Sequence, residues 1–167
     1  MTCRLQDNTY YPPLLSESPA SPVQVCAPLG SLHTIHLNYL TASAVTDNVV
    51  AAACRRSERG GGHGLRTLGI SGSGVGVTSK SLMALQRHCS SSLRSLDISF
   101  VRGVCLPALC SLLTHTAHLT FLSVWGCTQL SPGRVTTQSS CPSLYDVIAG
   151  RQDLCIVGYM ENVRGAL

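Results

Sequence analysis

The sequence is poor in acidic residues, in aromatic residues and in lysine. It contains eight Asp and Glu, eight aromatic residues and one lysine, Lys80. The carboxylates occur singly along the chain, so no acid and base pair for catalysis can be assigned. No serine or histidine lies in a Gly-x-Ser-x-Gly elbow or another known nucleophile setting. The sequence therefore predicts no catalytic residue and no enzyme.

Long apolar runs are also missing. The longest stretches, Ala44 to Ala53 and Leu106 to Leu113, fall well short of the ~18 residues that cross a bilayer. Met1 to Asp7 contains one arginine followed by polar residues, where a secretory signal would have an apolar core. We therefore expect a soluble protein of the cytoplasm, the nucleus or both, with no membrane partner and with its nine cysteines reduced.

No C-x-x-C pair occurs, which argues against a zinc site. The nearest approach to a set of zinc ligands is Cys105, Cys110, His115 and His118. At a helix end these side chains would face different ways and could not share one ion. Cysteine is a small, easily buried side chain. We therefore expect structural thiols and no bound metal.

Clustered positive charge is absent as well. The net charge is +4, and the basic residues are scattered from Arg4 to Arg164 with no run longer than Arg55-Arg56. Nucleic-acid-binding domains usually show a basic patch or an isoelectric point above about 9, whereas this chain has one near 8.6. The sequence does not predict direct nucleic-acid binding.

What the sequence does contain is an internal repeat, which sets the fold. The pattern Leu-x-x-apolar-x-apolar occurs four times, at intervals of roughly 26 to 33 residues. Its apolar positions are Leu32, Ile35 and Leu37; Leu65, Leu68 and Ile70; Leu93, Leu96 and Ile98; and Leu119, Leu122 and Val124.

Helical periodicity follows each of the first three copies, over Val45 to Cys54, Ser79 to Cys89 and Leu106 to Thr116. Asp47 and Ser79 lie where helix N-caps belong. Strand–helix–strand units force parallel pairing. We therefore predict an α/β fold, a short leucine-rich-repeat solenoid with strands on the concave side and helices on the convex side. Residues 1–28 are predicted as a Pro/Ser-rich leader or linker, 29–144 as about four repeats, and 145–167 as a closing, capping segment.

The repeat resembles the cysteine-containing leucine-rich repeats of F-box and related proteins. In that family a Cys precedes each strand, another often follows it, and an Ile/Val-Thr-Asp step opens the helix. Over roughly residues 26–144, Cys127 matches the position after the strand, and Val45-Thr46-Asp47 and Val77-Thr78-Ser79 match the helix opening. The positions before the strands are matched by Cys26, Cys54, Cys89 and Cys141.

The resemblance implies a non-catalytic recognition module similar to the substrate-binding repeats of SCF or cullin-RING ubiquitin ligase receptors. Its partners would be a ubiquitination substrate or cullin-ligase subunits. Leu96 to Val104, Phe121 to Leu130 and Cys155 to Gly158 are also similar to the leucine-rich-repeat protein of fungal and plant nucleotide-excision repair. A DNA-repair accessory subunit is therefore one alternative. A truncated repeat fragment without independent activity, lacking an F-box, is another.

A glycine-rich segment is similar to a dinucleotide-binding loop, because it follows a predicted strand and precedes a predicted helix. It runs Gly72-Ser73-Gly74-Val75-Gly76. Val77 occupies the position of the third glycine, so the fingerprint fails. We expect no cofactor.

The outward positions of the predicted strands form the candidate site, a concave protein-binding face. The residues assigned to partner binding are Trp125, Phe121, Phe100, Asp97, Arg102, His36, Asn38 and Tyr39. Aromatic residues and arginine dominate binding energy at interfaces. The alternative left open is that residues 131–167 fold over these rings and bury them in the core.

Overall fold

The computed structural model describes residues 2–4, 33–40, 44–59, 64–130, 144–149 and 151–158. Within these residues six strands form one sheet, in which every neighbouring pair is parallel and the strand order follows the chain. The strands are β1 (Thr2–Arg4), β2 (Thr34–His36), β3 (Thr67–Gly69), β4 (Ser95–Asp97), β5 (Phe121–Ser123) and β6 (Cys155–Val157).

Four helices accompany the strands: α1 (Asp47–Arg59), α2 (Ser79–Cys89), α3 (Leu106–His115) and α4 (Leu144–Ala149). Each of the first three connects two consecutive strands, and each helix packs against the next along the chain. The predicted α/β architecture of parallel strands and crossover helices is confirmed. No described helix combines the length and the apolar character needed to span a membrane.

The terminal strands lie outside the predicted repeat region. β1 falls within 1–28, and β6 falls within 145–167, where it continues the sheet beside β5. The boundaries proposed from the sequence, at 28 and 144, stay a prediction.

The core lies between the sheet and the helices. The predicted inward residues of β2 to β5 and their flanks are all buried, from Ile35 to Val124, while Leu32, Cys26 and Cys141 lie outside the described residues. Helix residues such as Leu82, Leu85 and Leu109 complete one apolar cluster. Burying each such side chain contributes about 1.5–3 kcal/mol, so the repeated leucines are the main stabilising element.

The predicted N-caps of α1 and α2 are wrong by one residue. Thr78, not Ser79, caps α2, because its side chain accepts a hydrogen bond from the Lys80 N–H. Asp47 is the first residue of α1, and its carboxylate reaches the next unit instead of its own helix. It accepts hydrogen bonds from the Thr78 N–H at 2.8 Å, the Thr78 hydroxyl at 2.6 Å and the Ser81 hydroxyl at 2.6 Å. Asp47 therefore links consecutive units at the amino ends of their helices.

Candidate functional site

The side chains that alternate with the buried ones lie on the sheet face opposite the helices. The register places Thr34, Thr67, Ser95 and Phe121 side by side, and likewise His36, Gly69, Asp97 and Ser123. Backbone hydrogen bonds continue the ladder beyond the strands, from Tyr39 N to Ser71 O and from Phe100 N to Trp125 O. The strand alignment used in the sequence prediction is therefore the register of the sheet.

Three aromatic side chains on or beside β4 and β5 are exposed: Phe121 is the first residue of β5, whereas Phe100 and Trp125 follow the ends of β4 and β5. We call them the aromatic group. Their exposed fractions are 48% for Phe100, 37% for Phe121 and 48% for Trp125. Large apolar side chains with this much exposure are available to a partner.

Phe100 is held in a backbone conformation that a bulky residue rarely adopts. Its φ is 60°, and Tyr39, at the same position two units earlier, has φ 59°. The equivalent residues of the unit between them and of the unit after Phe100 are glycines, Gly72 at 70° and Gly126 at 69°. A non-glycine residue in this left-handed region costs on the order of 1–2 kcal/mol. The turn therefore keeps two exposed aromatic residues at an energetic cost that glycine would not incur.

The glycines also make room for these rings. A Cβ added to Gly72 would lie 2.7 Å from Cδ1 of Tyr39, and one added to Gly126 would overlap the Phe100 ring. Each ring thus lies against the glycine of the next unit. Aromatic residue and glycine alternate along the turns, and the ring orientation is fixed by the backbone beside it.

Polar groups beside the aromatic group are satisfied within the protein. The Asp97 carboxylate accepts a hydrogen bond from the Ser99 N–H at 3.0 Å. Ser99 and Ser123 are buried, and their hydroxyl oxygens lie 2.8 Å apart. The Asp97 bond fixes the turn after β4, and the Ser99–Ser123 contact joins that turn to β5, so both rigidify the surface beneath the rings.

Cys127 anchors the turn that contains Phe100. Its thiol donates to the Ile98 carbonyl at 3.1 Å, and the Gln129 amide donates to the Val101 carbonyl at 2.7 Å. Burial raises the pKa of the Cys127 thiol, although hydrogen bonds to the Val101 and Phe100 backbone oppose the shift. The group therefore stays protonated and acts as a donor.

His36, Asn38 and Tyr39 form a second, separate group on β2 and its turn. Asn38 accepts a hydrogen bond from the Ser71 N–H at 2.9 Å and so connects two units. Tyr39 is 66% exposed. One strand, β3, separates this group from β4, a spacing of roughly 10 Å. The corresponding residues of that strand and its turn are small: Gly69, Ser71 and Gly72.

Arg102 follows Phe100 by two residues. It is exposed after the turn of β4, next to Gly103, which pairs with Thr78. In the described part of the chain no ion pair joins it to Asp97. The eight residues assigned from the sequence thus divide into the aromatic group with Asp97 and the neighbouring Arg102, and the separate β2 group.

The glycine-rich loop is an ordered turn. Gly74–Gly76 forms one turn of 3-10 helix, and the buried Ser73 hydroxyl donates to the Ile70 carbonyl. A bound phosphate would need free amides at the start of α2. Those of Thr78 and Lys80 already donate to Asp47 and to the Thr78 hydroxyl.

The cysteines are divided between the core and the surface. Cys54, Cys89, Cys110 and Cys127 are buried, whereas Cys105 and Cys155 are exposed. The exposed pair departs from the expectation of buried thiols. Among the described residues no three His, Cys, Asp or Glu side chains are placed to share a metal ion.

Arg151 is a structural residue that sequence analysis missed. Its guanidinium donates to the carbonyls of Leu113 at 3.1 Å and Thr116 at 3.0 Å, and also to that of Leu119. Arg151 thereby provides hydrogen-bond donors for the carbonyls at the end of α3 and connects the unit that contains β6 to that helix. No local sequence signal marks this role, because its partners lie more than 30 residues earlier.

No protein-family model matches the chain, and no curated protein matches it. Among solved structures, the chain is similar to one in the crystal structure of the Rad7 and Elc1 complex in yeast. The identity is 13%, the TM-score is 0.45, and the match covers 78% of this chain and 34% of that chain. This chain thus spans about a third of its neighbour's length. A likeness this distant carries no argument about function.

Proposed function

We propose that the chain is a short leucine-rich-repeat solenoid that recognises another protein through the aromatic group and has no catalytic role. The observation that carries this proposal is Phe100, an exposed aromatic residue in the left-handed region. Strain of this kind persists where the surrounding structure fixes it, and it clusters at functional sites.

The neighbouring contacts support the same surface. Phe121 begins β5 and Trp125 lies two residues beyond its end, about 13 Å away along the extended chain. A hydrogen bond from the Ser99 N–H to Asp97 and one between Ser99 and Ser123 hold the backbone beneath this face. A rigid surface loses little side-chain freedom on binding, which favours affinity.

The resemblance to cysteine-containing repeats suggests the kind of partner. We propose a substrate receptor of a cullin-RING ubiquitin ligase, so the aromatic group would bind the ubiquitination substrate. The sequence likeness to the excision-repair protein makes repair-complex subunits the second class of partner to look for.

The test is affinity purification of the tagged chain from its own cells, followed by mass spectrometry. The double variant Phe121→Ala, Trp125→Ala is compared with wild type and with Met83→Ala, which removes an exposed apolar side chain from α2. Each variant must first melt cooperatively. We expect a defined set of proteins to be lost in the double variant and kept in the control.

The identity of the lost proteins separates the partner classes. Cullin, adaptor or substrate proteins support the ligase receptor, and repair subunits support the accessory role. Identical recovery by all three forms would refute recognition through the aromatic group.

A further inference from the structure

The fold gathers arginines that are scattered in the sequence. In each unit the helix ends, and the next strand begins, at the same edge of the sheet. Five exposed arginines lie along this edge: Arg55 and Arg56 near the end of α1, Arg87 at the end of α2, and Arg66 and Arg94 just before β3 and β4. We call this set the basic edge.

Backbone hydrogen bonds fix the spacing of the strand-side arginines. Arg94 N donates to Arg66 O, and Arg66 N donates to His33 O, so three successive strands each begin beside one basic residue. Neighbouring strands lie about 4.8 Å apart. His115 and His118 follow at the end of α3, and the Arg94 guanidinium donates to the His118 carbonyl.

Acidic residues do not balance this edge. Residues 44–130 contain eight Arg and Lys and three Asp and Glu, which gives a net charge of +5. Asp47 begins α1 and Asp97 ends β4, so both lie at the opposite edge, and only Glu58, near the end of α1, lies at the basic edge. The charge of this region is therefore separated across the sheet.

Helix C-termini attract positive side chains, and capping accounts for some arginines. Arg151 is such a case, because three carbonyls and Asp153 occupy its guanidinium. The exposed side chains of Arg66 and Arg87 differ, since neither has a hydrogen-bond or ion-pair partner within the described residues. Both guanidinium groups are open to an external anion.

We propose that the basic edge binds the phosphodiester backbone of a nucleic acid, at the end of the strands opposite Phe100 and Trp125. A nucleic acid repeats one charge at a regular interval, about one per 1.7 Å of axis in duplex DNA. Exposed arginines on successive units can each contact one phosphate of such a repeating backbone. The guanidinium group also bonds phosphate oxygens in pairs. An acidic peptide has no fixed interval of charge.

The probe is a fluorescein-labelled 20-base-pair duplex DNA, measured by fluorescence anisotropy between 50 and 200 mM salt. Each phosphate contact adds about −0.9 to the slope of log affinity against log salt. We expect the double variant Arg66→Ala, Arg87→Ala to reduce that slope by about 2. Neither side chain has a described partner, so the fold should persist, as thermal melting would verify.

The matched control is Lys80→Ala, Arg102→Ala, which removes the same charge from exposed side chains at the opposite edge. It should retain the wild-type slope. Duplex RNA of the same sequence distinguishes the two nucleic acids, and binding of either supports the proposal. It is overturned if the duplexes do not bind, if both double variants lose binding equally, or if polyglutamate binds more tightly than either duplex.

Discussion

Replacing Arg151 with alanine should loosen the last unit of the sheet. The side chain is only 14% exposed and makes three hydrogen bonds to carbonyls at and after the end of α3. A hydrogen bond to a charged group contributes about 1.5–3 kcal/mol. At the lower figure the three bonds stabilise the folded state by about 4.5 kcal/mol. Ordering the Arg151 side chain on folding costs up to ~2 kcal/mol of rotamer entropy, and alanine avoids that cost. The expected loss in free energy of unfolding is therefore about 2.5 kcal/mol.

Thermal unfolding followed by circular dichroism measures this loss. For a chain of this size we expect Tm to fall by about 5–10 °C. Arg151→Lys should lose an intermediate amount, because one ammonium group cannot replace the guanidinium fork. Asp153→Ala is the control, since it removes only an exposed ion pair and leaves all three carbonyl bonds. The reasoning fails if Arg151→Ala melts within about 2 °C of wild type.

The same substitution should affect the candidate binding surface. β6 is tied to β5 by hydrogen bonds from Val124 N to Val157 O at 3.0 Å and from Cys155 N to Thr120 O at 2.8 Å. If Arg151 holds this unit in place, hydrogen exchange at these two amides should accelerate in Arg151→Ala before exchange in β3 and β4. Uniform acceleration would instead indicate a global loss of stability.

Three further predictions concern the unit contacts and the thiols. Burial alone would raise the pKa of Asp47, but hydrogen bonds from the Ser81 and Thr78 side chains hold it below the usual 3.8. Its stabilising effect is therefore present above pH 3.8 and is lost as the pH falls below that value, so Tm should depend less on acid pH in Asp47→Asn. Gly126→Ala should cost about 1–3 kcal/mol in urea unfolding, and less in a Phe100→Ala background, because φ is positive and the ring blocks the new methyl group. Native iodoacetamide labelling mapped by mass spectrometry should modify Cys105 and Cys155 before the buried thiols Cys54, Cys89, Cys110 and Cys127.

Each of these three predictions would be contradicted by a specific result. Equal acid sensitivity of wild type and Asp47→Asn would remove Asp47 from the pH response. A Gly126→Ala cost that is unchanged by Phe100→Ala would show that the backbone, and not the ring, opposes the methyl group. Early labelling of Cys54 would contradict its burial. A hydrogen bond with Cys89, together with that burial, raises the pKa of the Cys54 thiol well above its usual range.

The sequence predicted the elements whose signal is local. Leu68 and Ile70 alternate with Thr67 and Gly69 along β3, and such alternation can satisfy only a strand buried on one face. The stretch predicted as helical, Ser79 to Cys89, is the extent of α2, because its apolar face lies within the helix and its opening Thr78-Ser79 step lies at its start, although the cap is Thr78. The exposed positions of Phe121 and Trp125 followed from the same alternation.

Predictions that depended on the neighbouring unit were less accurate. The outward positions of the strands were predicted to form an open face, yet three of the serines at those positions, Ser71, Ser99 and Ser123, are buried. Asp47 was assigned to its own helix, although its carboxylate bonds the next one. In both cases the partner lies more than 20 residues away, which no local pattern reports.

The sequence by itself determined the α/β class, the strand register and the side of the sheet on which each repeated residue lies, because a period of two or of 3.6 fixes the buried face of an element. Only the tertiary structure decided which residues meet across units. Parallel strands placed side by side brought Phe100 against Gly126, joined Arg151 to the end of α3, and collected separate arginines on one edge. Those contacts depend on the stacking of whole units, and stacking is a property of the folded chain that the spacing of residues within one unit does not contain.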